Sequence, residues 1–141
     1  MIVPSVEIRL IIGSDSLSGS DLVDLFGEAD EPVQSVGDEK EFLGQTTVAS
    51  ESTWIVRSAA PSNLPAEAHL DELFERAGPA IDRVADVEAV PVYAVLRIGH
   101  YMAASEFQGH GIAIGPEWIR VLARLNGFVD IDQYIVAETQ D

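Results

Sequence analysis

Between Gly99 and Gly111 the chain reads GHYMAASEFQGHG, which sets His100 and His110 on either side of Glu106. Two imidazoles and a carboxylate are a donor set for a transition metal, and equally for acid–base work. A metal needs at least three ligands in fixed geometry, and the ten-residue step between the histidines imposes no spacing rule. Glycines flank both histidines, which favours turn geometry over the rigid support that metal ligands need. The stretch therefore reads first as polar loop termini between two strands. A ligand site at His100, Glu106 and His110 is the alternative. No catalytic residue, metal or cofactor is expected.

Other residue types with chemical potential resolve the same way. His69 lies in EAHLDELFER, where Glu72 falls three positions on and no HExxH pattern exists, so it reads as a helix-surface histidine. Serines crowd GSDSLSGSD without a G-x-S-x-G elbow, and hydroxyl capping of a helix start is the expected role. Neither phosphate-cradling glycine pattern is present. Asp130 and Asp132 alternate along a strand and lack an EF-hand context, so they describe a solvated strand face opposite Ile131. Trp54 and Trp118 are expected as buried anchors.

The elements that would position these groups follow from hydrophobic period and punctuation. VEIRLIIG, Val6 to Gly13, reads as a strand entering a core. Ser18 with Asp21 three residues on forms a capping-box pattern, and Gly27 closes a helix of about two turns. EADEPVQSVGDEKE is a polar, turn-rich connection. Phe42 to Ala59 holds one or two strands, the second being STWIVRS. Leu70, Leu73, Phe74, Ala77, Ile81, Val84 and Val87 share one face of the longest helix, and Gly78-Pro79 should kink or split it. AVPVYAVLRIGH is the clearest strand. GIAIG gives a short strand before a helix opened by Pro116 and closed by Asn126-Gly127, and FVDIDQYIV is the last strand. The result is one α+β domain over residues 1–141. Its sheet is mixed or mostly antiparallel, with about three helices on one face. Two strand–helix units of similar outline raise the question of an internal pseudo-duplication.

The 141 residues are enough for a single core that buries roughly 70% of the unfolded surface. No cysteine is present, which removes disulfides and thiolate chemistry. Acids outnumber bases by 24 to 8, a formal net charge of −16. Such a surface repels phosphate backbones, so nucleic acid is not expected as a partner. No window approaches the roughly 20 apolar residues of a membrane span, and a cytoplasmic setting is the simplest expectation.

The closing stretch GIAIGPEWIRVLARLNGFVDIDQY resembles the end of the bacterial domain-of-unknown-function family 4279, with its helix, leucine-containing turn and DIDQY strand. Leu25-Phe26-Gly27 is similar to the family's opening, Pro32 followed by Gly37-Asp38 to its central connection, and AHLDELFERAGPAIDRV to its long helix. Val36 stands where a basic residue often precedes the glycine. The resemblance spans nearly the whole chain and implies an unassigned function, with a toxin-neutralising, immunity-type role among the expectations.

Taken together, these features lead to a non-catalytic protein-binding module that meets a basic protein through Asp30, Glu31, Asp38, Glu39 and Glu41, where charge complementarity would speed association. The alternatives are a small-ligand or metal-dependent enzyme domain at His100, Glu106 and His110, and a self-associating module or homo-oligomer.

Overall fold

A computed structural model describes residues 5–103 and 111–136. The elements in chain order are β1 (Ser5–Ser14), α1 (Gly19–Phe26), β2 (Glu39–Phe42), β3 (Gln45–Val48), β4 (Ser52–Arg57), α2 (Ala66–Asp82), β5 (Tyr93–Ala103), α3 (Pro116–Arg124) and β6 (Phe128–Val136), with a 3-10 turn at Val87–Ala89. Four strands form one mixed sheet in the order β4-β1-β5-β6, and β2 and β3 form a separate two-stranded sheet. β1 pairs antiparallel with both β4 and β5, whereas β6 joins β5 in parallel through the α3 crossover. This is the expected α+β architecture.

The strand period of two divides the sheet into a core side and an open side. Val6, Ile8, Leu10 and Ile12 of β1, Trp54 and Val56 of β4, and Ala94, Leu96 and Ile98 of β5 turn to the core side. The three helices cover that side. The Phe26 ring of α1 packs on Trp54 at 5.7 Å between centroids, and Phe74 of α2 meets Trp118 of α3 edge-on at 5.6 Å. Each buried indole also donates a hydrogen bond, Trp54 to the Gly27 carbonyl and Trp118 to the Leu70 carbonyl, so both tryptophans tie helices to the core.

The punctuation signals act as expected at α1. The Ser18 hydroxyl accepts from the Asp21 N–H, and the Asp21 carboxylate accepts from the Ser18 N–H, a complete capping box. The neighbouring serines serve the same local purpose. Ser14 donates to the Pro91 carbonyl and accepts from the Leu17 N–H, while Ser52 donates to the Leu17 carbonyl.

Three expectations need correction. α2 is not split at Gly78-Pro79 but continues through it to Asp82, so Val84 and Val87 lie beyond its end. Pro79 stands on the exposed side together with Glu75, whose carbonyl loses its helical donor on a side open to solvent. The Phe74 ring meanwhile lies where a Gly78 side chain would begin. GIAIG at 111–115 is not a strand, and the Ala113 N–H donates to the Glu67 carboxylate instead of to a strand edge. The polar connection, finally, ends in a strand, β2, which pairs with β3 as a β-hairpin. Phe42 pairs with Gln45 across Leu43 (φ 51°) and Gly44 (φ 77°), the two positive values of a two-residue hairpin loop. No described helix is long and apolar enough to cross a membrane.

Candidate functional site

Of the histidine-rich stretch, only His100 belongs to the described residues; Glu106 and His110 lie outside them. His100 is buried on the core side of β5, opposite Val6 of β1 and Gln133 of β6. Alternation along β5 dictates this, since His100 falls between Ile98 and Met102 on the inward set. Among the described residues no group of three or more His, Cys, Asp or Glu side chains could hold a metal ion.

His69 is not the surface residue its type suggested. It is 2% exposed and sits in the inward stripe of α2 with Ala66, Leu70, Leu73 and Ala77. Its Nδ1 lies 2.8 Å from the Ser58 hydroxyl, which also accepts from the Ala60 N–H. The Glu72 carboxylate accepts from the Ala59 N–H, so one helix face grips the loop after β4 at two points. A serine–histidine contact invites comparison with a nucleophile and its base. In a nucleophile–base–acid triad the second imidazole nitrogen meets an acid, whereas His69 Nε2 has no hydrogen-bond partner among the described residues. The contact ties the loop after β4 to α2.

The same loop borders a cleft of about 560 Å³ lined by Arg9, Arg57, Arg76, Asp30, Ser58 and His69, among others. Half of the chain's arginine-rich minority of bases gathers around it and the adjoining sheet face. Arg76 reaches from α2 to both Asp30 oxygens at 2.7 Å and donates to the Arg57 carbonyl. Asp30 in turn accepts from the Arg57 N–H at 2.8 Å. Burial alone would raise the Asp30 pKa, but the Arg57 N–H and the Arg76 guanidinium outweigh it and hold the carboxyl below its ordinary value. The hydrogen bond to Asp30 raises Arg76. Glu31 stands between Arg9 at 3.5 Å and Arg57 at 3.9 Å.

On the open side of the sheet, strand register sets Arg57, Arg9, Arg97 and Asp130 in one row across all four strands. Arg97 meets Asp130 at 3.3 Å. Glu7 and Asp132 follow on the next row, and the stacked rings of Tyr101 and Tyr134, 5.0 Å apart, on the one after. Like charges directly opposed across strands repel, so the row depends on Glu31 and Asp130 as counter-ions. The sheet face is thus close to internally neutral, despite the acidity of the chain.

The five acids proposed for partner contact consequently divide. Asp30 and Glu31 are engaged by arginines of their own chain. Asp38 closes a turn by accepting from the Ser35 N–H, while Glu39 and Glu41 lie on the hairpin. All eight hairpin strand residues are exposed. At the tip Phe42 is 73% and Leu43 87% exposed, and Leu43 is held in a left-handed conformation that costs a β-carbon residue about 1–2 kcal/mol. Glu39, Glu41, Thr46 and Val48 share one face of this arm, and Lys40, Phe42, Gln45 and Thr47 the other. Its second strand, β3, falls where the first of the one or two strands between Phe42 and Ala59 was expected, whereas β2 was not expected, because a charged strand with a Leu-Gly turn lacks the usual hairpin signature.

The family model described as Domain of unknown function (DUF4279) matches residues 10–136. No curated protein and no solved structure matches the chain.

Proposed function

Since the chain belongs to the DUF4279 family, whose description assigns no activity, we propose a function from geometry: a non-catalytic protein-binding module that takes a basic partner on its hairpin arm. The carrying observation is the tip, where Phe42 and Leu43 stand in solvent at the end of an arm that carries Glu39 and Glu41 on the face opposite Phe42. Free apolar anchors flanked by charge are the composition of a contact patch, in which the anchors supply affinity and the charges supply steering. Asp30 and Glu31 leave the contact set in this reading, because their carboxylates serve Arg9, Arg57 and Arg76. An immunity-type role, neutralising a basic active surface in the cytoplasm, is the finer form of the proposal. A net charge of −16 supports the sign of the partner and opposes nucleic acid.

The test uses paired baits. A partner captured by the native chain should bind Phe42→Ser/Leu43→Ser at least tenfold more weakly, mainly through faster dissociation. Glu39→Lys/Glu41→Lys should slow association and flatten its salt dependence. Equal binding to all three baits, or a captured partner that is itself acidic, would reject the reading.

A second reading, a small-ligand domain, draws support from the cleft beside Ser58 and His69 instead of the His100 region. It expects a small anionic compound to raise Tm in the native chain and not in Arg76→Ala.

A further inference from the structure

The outer edge of β6 is the feature of the molecule least explained by its own fold. β6 is nine residues long and terminates the four-stranded sheet, and no described backbone group bonds to its outer side. Natural edges are commonly blunted by proline, lysine, a bulge or a covering segment. FVDIDQYIV contains neither proline nor lysine, and its ladder with β5 runs without interruption from Phe128 to Val136. Four of its side chains are large, apolar or aromatic, and exposed: Phe128, Ile131, Tyr134 and Ile135. Its only charges, Asp130 and Asp132, both stand on the open side of the sheet.

We propose that this edge pairs with the same edge of a second copy of the chain, antiparallel about a two-fold axis through Gln133, to build a continuous eight-stranded sheet. Charge and side-chain parity narrow the register. In such a pair residues i and j face each other on the same side of the joint sheet only when the axis passes through a residue. An axis at Asp130 or Asp132 sets that aspartate against its own copy, and one at Ile131 sets Asp130 against Asp132 twice. Opposed like charges exclude all three. Through Gln133 the partners are Ile131 with Ile135 on the core side, and Asp132 with Tyr134 on the open side. Each forms twice, and the Gln133 amides meet at the centre. On the core side isoleucine meets isoleucine, while on the open side the Tyr134 phenol can donate to Asp132 and Asp130 falls opposite Val136. Two chains of −16 repel at long range, so the association has a distinctive sign: salt should strengthen it.

The test exploits the absence of native cysteine. Sedimentation equilibrium should give twice the monomer mass, with a dissociation constant that falls at least tenfold between about 0.1 M and about 1 M salt. Gln133→Cys should oxidise to a covalent dimer at least tenfold faster than Glu75→Cys on the exposed side of α2, because opposed residues of antiparallel strands sit within disulfide reach. Ile135→Lys, at a 54% exposed position, should fold normally and remain monomeric. The hairpin variants Phe42→Ser/Leu43→Ser should dimerise like the native chain, which separates this proposal from the one above. A monomer at all salt concentrations overturns it and leaves the edge to a strand from another protein. A dimer in which Gln133→Cys reacts no faster than Glu75→Cys, or which survives Ile135→Lys, overturns it as well.

Discussion

The two margins of the main sheet are finished in different ways. Along β4 the segment from Asp30 to Gln34 lies against the outer side: the Asp30 N–H donates to the Ile55 carbonyl, the Thr53 N–H to the Gln34 carbonyl, and the Asp30 carboxylate accepts from the Arg57 N–H. Trp54 and Arg76 then bind this cover to the helices. Along β6 no described segment plays that part. Backbone groups at a margin need partners or water, and among the described residues this need is met internally at β4 alone. The β4 margin is therefore expected to contribute more to stability than the β6 margin.

The comparison fails or sharpens with a graded set of substitutions. Trp54→Ala should be the most damaging, at about 3–5 kcal/mol by urea denaturation, since it removes a buried ring and leaves the Gly27 carbonyl unpaired. Gly13→Ala comes next, at about 1–3 kcal/mol. A β-carbon there would meet the Tyr93 ring at 2.6 Å, and that ring lies across β1 so that its hydroxyl can donate to Glu51.

The Tyr93 phenol offers a pH test. Burial first, and then its bond to Glu51, push it up to about 12, above the ordinary tyrosine value of about 10. The folded chain thus keeps the proton while the unfolded chain releases it. The contribution is fully present below pH of about 10 and is lost as the pH rises through about 12. Absorbance titration should show one of the three tyrosines ionising late. Tyr93→Phe should lose less stability than the native chain over that window.

A smaller effect is expected at Asp30, whose carboxyl is held low. Its contribution is present above the ordinary carboxylate range and disappears as acid protonates the folded form. Asp30→Asn should cost about 1 kcal/mol at neutral pH, given its exposure, and the difference should shrink on acidification. Smallest of all, Ile131→Thr measured at low protein concentration should shift stability by less than about 0.5 kcal/mol. A loss above about 2 kcal/mol would mean that the β6 margin is as well covered as that of β4.

Much of this scaffold was legible in the residues. Alternation in VEIRLIIG and AVLRIGH identified the two central strands, because burial on one face leaves that period in the sequence. Ser18, Asp21 and Gly27 marked α1 through local hydrogen bonds that need no tertiary context. β2 escaped because an exposed, charged strand carries no burial pattern, while β3 was anticipated only through its β-branched residues. His69 was misjudged by type. Its spacing from Leu73 and Ala77 already set it in the apolar stripe, but the Ser58 hydroxyl that satisfies it belongs to a loop eleven residues earlier. The arginine row was equally invisible, since strand order and register bring together residues from three distant segments. The loop containing Glu106 and His110 lies outside the described residues, so its assignment as a loop gains nothing from the fold.

The single parallel pairing also carries an implication about time. A hairpin can zip from its turn, but β6 reaches β5 only over the α3 crossover, so helix and sheet must meet before that ladder can close. β6, which pairs with β5 alone at the margin of the sheet, is expected to dock late in refolding. Substitutions at Ile131 should speed unfolding and leave the refolding rate nearly untouched, and a matching slowdown of refolding would show that the ladder forms early.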